Sequence, residues 1–336
     1  MSRRIIHDHN HDGIDRRGFL ECMAWVGTGA LCVLSGGVLK SYALSEAPQA
    51  AEALSGADFS FVQISDSHIG FNKAANPDVS ATLQAAIDKI NALPTRPSFV
   101  LHTGDITQLS KPEEFDTAAQ ILKNLKTDQI FYVPGEHDVL DQTGKLYRDR
   151  HGMNSQGDGW YSFNAKGAHF VGLVNVMNLK AGGLGYLGDE QLEWLEKDLA
   201  GVSNSTPIVA FAHIPLWSVY PEWGWGTDDS ARALSYLKRF GSVTVLNGHI
   251  HQTMRKVEGN VTFHTAMSTA FPQAAPGTPN ASPGPMAVPA GQLRDVLGVT
   301  SAQFARGQHA LAVTDSTLSG ASAAAMPMVS QTGGNR

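Results

Sequence analysis

From about residue 57 onward, short apolar runs alternate with longer segments whose apolar residues recur at helical spacing. The runs of strand length predict strands over 59–65, 98–104, 129–135, 207–213 and 243–249. Two further stretches, 160–176 and 253–266, predict strand pairs that turn at Lys166–Gly167 and Gly259–Asn260. The helical spacing predicts helices over 79–93, 112–126, 188–200 and 229–240. This alternation predicts an α/β sandwich built on one core.

The chain after residue 270 has a different composition. Residues 271–291 are rich in Pro, Ala and Gly, and they predict a long loop rather than a second domain. Residues 307–315 are expected to form a returning strand. The Ser-, Gly- and Ala-rich residues 316–336 are expected to be a disordered tail, because they cannot bury enough apolar surface to fold. We therefore expect one folded domain over 54–315.

The N-terminal segment has the features of an export signal. Arg16 and Arg17 precede Phe19, Leu20 and a moderately apolar, Gly-rich run, and this pattern resembles a twin-arginine signal. The glycines in the run make it a poor permanent membrane anchor. We therefore expect residues 1–53 to be a signal peptide and short linker, and the protein to be periplasmic or secreted through the twin-arginine export machinery. The alternative is an uncleaved N-terminal anchor.

Charge and cysteine content narrow the functional classes. The 336-residue chain has a net charge of −6, which argues against nucleic acid as a partner because such binding needs a basic face. Its two cysteines, Cys22 and Cys32, both lie in the N-terminal apolar run. The remaining chain can therefore form neither a disulfide nor a cysteine-ligated zinc site. The thirteen histidines are more informative, since imidazole is the commonest metal ligand.

Candidate site residues, either metal ligands or acid–base groups, follow five of the predicted strands, usually beside a glycine. They are Asp66, His68, Asp105, Glu136, His137, Asp138, His213, His249 and His251. Because ligand sites of α/β sheets lie beyond the carboxyl ends of the strands, we expect these residues to converge. Mixed carboxylate and imidazole ligands suit Mn, Fe, Zn or Co, and a bridging carboxylate can hold two ions. The glycines at 104, 135 and 248 are expected to let the backbone pass close to the ligands.

Between about residues 58 and 265 the chain carries, in order, the motifs DxH, GD, GEHD, H and GHxH. This ordered set resembles the calcineurin-like metallophosphoesterase family, which usually has Asn in place of Glu136. The resemblance implies a four-layer sandwich of two mixed β-sheets flanked by helices. It also implies a first metal held by Asp66, His68 and His251, a bridging Asp105, and a second metal held by Glu136, His213 and His249. His137 would contact the phosphoryl oxygen or protonate the leaving group, and Asp138 would orient His137.

The same resemblance implies an exported phosphoesterase with two transition-metal ions. Its substrate would be a small phosphomonoester or phosphodiester, attacked by a metal-bound hydroxide. The spacing is most similar to the cyclic-nucleotide and glycerophosphodiester phosphodiesterase branch. Gln108 occupies the position where purple acid phosphatases carry a tyrosine, so iron–tyrosinate charge transfer is not expected. The alternatives are a non-catalytic, metal-stabilised binding module on the same fold, or a nuclease.

Glu136 departs from the family pattern and adds a negative charge to the predicted centre. With Asp66, Asp105 and a hydroxide, it would formally neutralise two divalent ions. One hypothesis is that the site favours a more highly charged pair, such as Fe(III) with a divalent ion. A second is that its affinity for phosphate is reduced. A third is that Glu136 turns away and water replaces it.

A cluster of aromatic residues follows His213 in the sequence. Its members are Trp217, Tyr220, Trp223 and Trp225. They could form a pocket wall or lid that stacks on the substrate, or a packed surface loop. Four other histidines are assigned structural or solvated positions. They are His102, His151, His169 and His264.

Overall fold

The computed structural model describes residues 59–127, 129–141, 143–278, 281–304 and 311–320, together with the backbone of two N-terminal strands. The chain divides into two compact units, residues 57–320 and residues 1–56 with 321–336. In the latter unit, β1 (Ala30–Ser35) pairs antiparallel with β2 (Val38–Ala43). The remainder of the predicted signal peptide and residues 321–336 of the predicted tail lie outside the described residues.

The larger unit contains two mixed sheets. The five-stranded sheet contains β3 (Phe59–Ile64), β4 (Val100–His102), β5 (Ile130–Tyr132), β12 (Gly298–Phe304) and β13 (Ala312–Thr317). Its order is β13-β12-β3-β4-β5, with β3, β4 and β5 parallel and the other pairs antiparallel. The three parallel strands therefore end at the same edge of the sheet.

The second sheet has six strands. They are β6 (Tyr161–Ala165), β7 (Ala168–Gly172), β8 (Ile208–Phe211), β9 (Val243–Asn247), β10 (Arg255–Glu258) and β11 (Val261–Thr265). Their order is β10-β11-β9-β8-β7-β6, in which β7, β8, β9 and β11 are parallel. The edge strands β6 and β10 pair antiparallel with their neighbours.

Six helices accompany the sheets in the described part of the chain. They are α1 (Val79–Asn91), α2 (Pro112–Leu122), α3 (Lys145–His151), α4 (Asp189–Ala200), α5 (Ser230–Leu237) and α6 (Leu293–Val296). The start of α1 is set by Asp78, whose carboxylate accepts the Ala81 N–H at 2.9 Å. Pro112 occupies the first turn of α2, where its missing N–H costs nothing. No helix among the described residues has the length and apolar character to cross a lipid bilayer.

Three apolar clusters separate four layers. An aromatic cluster that includes Phe61, Phe170 and Phe211 fills the space between the two sheets. A second cluster joins the five-stranded sheet to α1 and α2, and a third joins the six-stranded sheet to α4 and α5. β3 is buried on both faces, because Phe61 points between the sheets and Val62 toward the helices. The predicted four-layer sandwich of two mixed sheets flanked by helices is confirmed.

A buried ion pair joins the two sheets at one edge. Asp315 of β13 accepts hydrogen bonds from Thr300 at 2.7 Å and lies 2.9 Å from Nε2 of His264 on β11. Its second oxygen lies 3.0 Å from Nη2 of Arg255 on β10. Burial alone would raise the pKa of Asp315, but the His264 and Arg255 contacts hold it below its usual range.

The observed strands and helices match the predictions except at the elements with weak patterns. α3, α6 and β12 were not predicted, because β12 has the mixed sequence GVTSAQF and the two helices are short. β13 overlaps the predicted returning strand from residue 312 and continues to Thr317, two residues into the predicted tail. Residues 307–310 of that prediction lie outside the described residues.

Candidate metal centre

The predicted ligands lie in turns that follow the carboxyl ends of the parallel strands. Asp66 and His68 follow β3, and Asp105 follows β4. Glu136 begins a single 3₁₀ turn, Glu136–Asp138, after β5. His213 follows β8, and the pair His249 and His251 follows β9. Both sheets therefore contribute to one site, at the edge that the α/β architecture favours for ligands.

The backbone at this site is strained. Five of the eight non-glycine residues with positive φ in the described chain are predicted ligands. They are Asp66 (56°), His68 (43°), Asp105 (53°), His249 (70°) and His251 (53°). Each such conformation costs on the order of 1 kcal/mol or more, and such strain concentrates at functional sites. Left-handed residues therefore occur in the turns after β3, β4 and β9, whereas Glu136 after β5 and His213 after β8 have no positive φ.

The first group of ligands surrounds Asp66. Nε2 of His251 lies 3.1 Å from Oδ1 of Asp66 and 3.2 Å from Nε2 of His68. Oδ2 of Asp105 lies 3.4 Å from Nε2 of His68 and 3.4 Å from Nε2 of His213. Asp105 therefore stands between two groups of imidazoles, as a bridging carboxylate must.

The second group surrounds Glu136. Its Oε2 lies 3.0 Å from Nε2 of His213, and its Oε1 lies 2.9 Å from Nδ1 of His249. The carboxylate therefore points into the group, and the hypothesis that Glu136 turns away does not fit this geometry.

Backbone carbonyls fix two of the imidazoles. Nδ1 of His213 lies 2.7 Å from the carbonyl oxygen of Thr103, and Nδ1 of His251 lies 2.5 Å from that of Phe271. Since a carbonyl can only accept, each Nδ1 carries the proton and donates it. In the neutral imidazole each Nε2 then presents its lone pair to the centre, which is the usual support for a metal-bound histidine.

Several polar atoms at the centre are buried and make no hydrogen bond of suitable geometry, although the carboxylate of Glu136 lies 3.0 Å from His213 and 2.9 Å from His249. They are Nε2 of His213, Oε2 of Glu136, and Nδ1 and Nε2 of His249. Such atoms are rare in folded proteins, because each loses its interaction with water. Their grouping with ionisable carboxylates fits a bound cation, and the mixed oxygen and nitrogen donors fit a transition metal.

The protonation states of His68, Asp66 and Glu136 also fit cation binding. Burial opposes protonation of His213, but the carboxylates of Asp105 and Glu136 raise its pKa well above the usual range, so a cation would displace that proton. Burial lowers the pKa of His68 to about 3, so its imidazole is neutral. Burial alone would raise the pKa of Asp66, but His251 and its neighbours hold it below its usual range. Burial likewise opposes ionisation of Glu136, but His249 and His213 hold its pKa well below normal. Ionised carboxylates and neutral imidazoles are the forms that bind metals.

His137 lies beside the metal ligands rather than among them. A ring nitrogen of His137 falls within 4.8 Å of the ligand atoms of His68 and Asp105. Its Nδ1 lies 2.8 Å from the carbonyl oxygen of Gln108, and its backbone N–H donates to Oδ1 of Asp105 at 2.9 Å. Burial disfavours protonation, but the carboxylates of Asp105 and Glu136 raise the pKa of His137.

Asp138 makes contacts that differ from the predicted ones. Its Oδ1 accepts hydrogen bonds from the Thr107 N–H at 2.8 Å and the Thr107 hydroxyl at 2.9 Å. Its Oδ2 accepts from the N–H groups of Ile106 and Gly135, both at 3.0 Å. Asp138 therefore joins the turns that carry Asp105 and Glu136, and the Gln108 carbonyl takes the role of orienting the His137 imidazole. The prediction that Asp138 orients His137 is corrected accordingly.

The three predicted close approaches of glycine are present. A Cβ at Gly135 would lie 2.0 Å from Oδ1 of Asp105, and one at Gly104 would lie 2.5 Å from Nδ1 of His213. A Cβ at Gly248 would lie 2.0 Å from the Ser65 hydroxyl oxygen and 2.6 Å from Oδ2 of Asp66. Any side chain at these positions would displace a residue of the centre.

Two residues at the start of the Pro-rich segment, Phe271 and Gln273, support the centre and were not predicted to do so. The Phe271 ring packs against the imidazoles of His68 and His251, with centroids 4.7 and 4.8 Å away. Nε2 of Gln273 donates to the His249 carbonyl oxygen at 2.9 Å. Phenylalanine and glutamine at the start of a Pro-rich loop carry no sequence signal of this role.

The aromatic residues after His213 divide into two pairs. Trp217 and Trp225 are only 7% and 1% exposed, and Trp217 packs on Phe263 at 5.0 Å. They are core residues and leave little ring surface for contact with a substrate. Tyr220 and Trp223 remain half-buried and contact each other edge to face at 5.4 Å.

The four other histidines occupy structural positions, as predicted. Nε2 of His102 lies 2.7 Å from the Ser67 hydroxyl, and Nε2 of His169 lies 2.8 Å from Asp198. His264 pairs with Asp315, and the His151 ring packs on Tyr132 at 4.2 Å.

The fold and the site together define a metal-dependent phosphoester hydrolase. Residues 59–253 match the family model described as calcineurin-like phosphoesterase, and the chain belongs to this family.

Curated relatives are similar over part of their length. A protein of Nostoc sp. named 3',5'-cyclic-nucleotide phosphodiesterase is 27% identical over 218 residues, which are 63% of this chain and 79% of that protein. A probable glycerophosphodiester phosphodiesterase of Arcobacter nitrofigilis is 29% identical over 162 residues, 46% of this chain and 57% of that protein. A solved dimetal phosphatase from Danio rerio has a TM-score of 0.58 at 15% identity, covering 76% of this chain and 98% of that one, and shares the fold.

Proposed function

We propose that the protein is an exported phosphoesterase with two metal ions, and that it hydrolyses a small phosphodiester. The observation that carries this proposal is the convergence of seven carboxylate and imidazole side chains, with two imidazoles fixed by backbone carbonyls, next to His137. The choice of a diester is supported by the phosphodiesterase names of the Nostoc and Arcobacter relatives.

The metal ligands would be those predicted from the sequence. One ion would be held by Asp66, His68 and His251, and the other by Glu136, His213 and His249, with Asp105 shared. When bound, two such ions would neutralise phosphate charge and lower the pKa of a coordinated water toward about 7.

His137 supplies the proton for the leaving group in this proposal. Because Nδ1–H donates to the Gln108 carbonyl oxygen, the proton available to substrate is carried at Nε2. The raised pKa of His137 favours the protonated form in which this nitrogen can donate. A diester needs such a donor because an alkoxide is a poor leaving group.

Substrate stacking is proposed for Tyr220 and Trp223 alone. Their partial exposure leaves ring surface available to an aromatic or sugar-bearing group, whereas Trp217 and Trp225 are buried.

Hydrolysis of bis-p-nitrophenyl phosphate and p-nitrophenyl phosphate, with added Mn, Fe or Zn, tests the proposal. We expect the diester to be the better substrate. His137→Asn should lower kcat about 100-fold or more on a dialkyl phosphate, whose alkoxide needs a proton, and much less on bis-p-nitrophenyl phosphate, whose nitrophenolate leaves without one. His169→Asn is the matched control, because His169 pairs with Asp198 away from the centre. No turnover of either substrate by protein with two bound ions would favour a non-catalytic binding module. Preferred turnover of the monoester would overturn the diester assignment.

Export is a separate part of the proposal and needs its own test. Replacing both Arg16 and Arg17 by lysine keeps the charge but removes the twin-arginine pattern. We expect the variant to accumulate in the cytoplasm and the parent protein in the periplasm or medium. Equal distribution of the two proteins on cell fractionation would argue against this route. Parent protein that stays with the membrane fraction would indicate an uncleaved anchor.

A further inference from the structure

The carboxylates of the centre are distributed evenly between its two groups of imidazoles. We call Asp66, His68 and His251 the first half-site. Its only carboxylate of its own is Asp66, whose Oδ1 lies 3.1 Å from Nε2 of His251. Asp105 adds a second carboxylate through Oδ2, which is 3.4 Å from Nε2 of His68.

The second half-site, Glu136, His213 and His249, has the same composition. Its own carboxylate is Glu136, whose two oxygens lie 3.0 Å from Nε2 of His213 and 2.9 Å from Nδ1 of His249. Asp105 reaches it at the same distance as the first, 3.4 Å from Oδ2 to Nε2 of His213. Each half-site thus combines two imidazoles, one carboxylate of its own and a share of Asp105. Oδ1 of Asp66 also lies 3.9 Å from Nε2 of His213, and a ring nitrogen of His137 borders the first half-site.

We propose that Glu136 makes the two half-sites equivalent in charge and ligand type, so that the chain binds two like divalent ions with similar affinities. The proposal rests on the metal centre assigned under the proposed function. Attraction between a cation and its ligands depends mainly on ligand charge at contact distance. An amide at position 136 would leave the second half-site with no carboxylate of its own, and one ion would then bind much more weakly than the other.

The equal donor sets argue against one hypothesis drawn from the sequence. A stable pair of Fe(III) with a divalent ion requires one half-site to attract the higher charge, and neither half-site has more carboxylate groups than the other. The half-sites do differ in exposure, because the side chain of Glu136 is 25% exposed and that of Asp66 is fully buried. Greater exposure of Glu136 weakens its attraction for a cation through solvent screening, but by less than removal of its charge would.

Binding of Mn²⁺ to the metal-free full chain tests this inference without measuring activity. Equilibrium dialysis and elemental analysis would give the number of ions and their dissociation constants. We expect two ions per chain with dissociation constants within about tenfold, a modest span for ligand sets of equal charge. Electron paramagnetic resonance should show a coupled Mn²⁺ pair, because the two half-sites share Asp105.

The variants Glu136→Gln and Glu136→Asn should bind the ion of the first half-site at parental affinity and the ion of the second half-site about 100-fold more weakly. This magnitude is at the upper end of the losses in metal affinity seen when residues that support metal ligands are mutated. Asp66→Asn is the matched variant of the first half-site and should give the mirror-image loss. All three should replace the coupled spectrum by that of an isolated Mn²⁺. Circular dichroism with chelator present identifies any variant that fails to fold. If a variant does not fold, the two dissociation constants of the parental protein still test whether the half-sites bind with similar affinities.

Two results would overturn the inference. One is parental binding with two dissociation constants more than about 100-fold apart, a difference near 2.7 kcal/mol in binding free energy. The other is a folded Glu136→Gln variant that still binds both ions at parental affinity. If the parental protein binds fewer than two ions at saturation, the proposed two-metal centre itself is contradicted. That result differs from the two results above, which overturn only the inference about Glu136.

Discussion

Gly135→Ala tests the close packing between the turn after β5 and the bridging carboxylate. The added Cβ would lie 2.0 Å from Oδ1 and 2.4 Å from the backbone nitrogen of Asp105. Non-bonded heavy atoms separate by about 3.5 Å, so one of the two turns must move by about 1 Å or more. The φ of Gly135 is −95°, which alanine adopts freely, so the effect is steric and not conformational.

The expected cost follows from this displacement. Overpacking a tight interior typically destabilises a protein by about 1–3 kcal/mol. For a domain of this size, 1 kcal/mol lowers Tm by about 2–4 °C, so we expect a decrease of about 5 °C. A shift of about 1 Å in a catalytic group can reduce turnover about 100-fold. We therefore expect Gly135→Ala to lose most of its turnover while its Tm decreases only modestly.

Gly201→Ala is the matched control for this prediction. Gly201 ends α4 with φ −88°, and its added Cβ meets no atom within 4 Å. We expect it to leave metal content and turnover unchanged. Thermal unfolding, elemental analysis and phosphodiesterase assays on both variants make the comparison. If Gly135→Ala binds two ions and turns over within about twofold of the parent, the argument from close packing is refuted, because it requires a roughly 100-fold loss.

Three further predictions concern stability, metal support and substrate contact. Asp315→Asn should lower the free energy of unfolding by about 2 kcal/mol at pH 7, because His264 loses its buried carboxylate partner. Since the folded pKa of Asp315 is depressed, this difference should shrink as pH falls below about 4, measured by denaturant unfolding across pH. Gln273→Leu should weaken metal binding about tenfold, because the His249 carbonyl loses its donor. Trp223→Ala should raise KM about tenfold for an aromatic diester and leave kcat unchanged, measured by steady-state kinetics.

Each of these predictions has a result that contradicts it. Equal destabilisation by Asp315→Asn at pH 7 and pH 3 would mean that the carboxylate charge is not involved. Unchanged metal affinity in Gln273→Leu would show that its hydrogen bond does not position the turn. For Trp223→Ala, a dimethyl phosphate diester is the control substrate, and an equal effect on both substrates would argue against stacking.

The sequence predicts the part of the fold that follows from strong local patterns. The apolar strand of residues 59–65 and the amphipathic helix of residues 188–200 are observed within a few residues of their predicted limits. The grouping of Asp66 with His251 could also be predicted, because parallel strands carry their carboxyl ends to one edge of a sheet. These inferences need only periodicity and topology.

Features set by tertiary contacts could not be predicted. β12 is held by pairing with β3 and β13, while its own sequence has little apolar alternation. Asp138 was expected to contact its neighbour in the chain, yet three of its four hydrogen bonds come from a turn about thirty residues away. The support of His251 by Phe271 uses a backbone carbonyl, which every residue type carries. No residue identity in the sequence indicates such a contact.

Crystals of the full chain grown with saturating Mn²⁺ would test the central claim most directly, through anomalous scattering from the ions. The account predicts two peaks about 3.5–4 Å apart. Asp105 should lie between them, with Asp66 beside one ion and Glu136 beside the other. A single peak, or peaks bound away from these carboxylates, would contradict it.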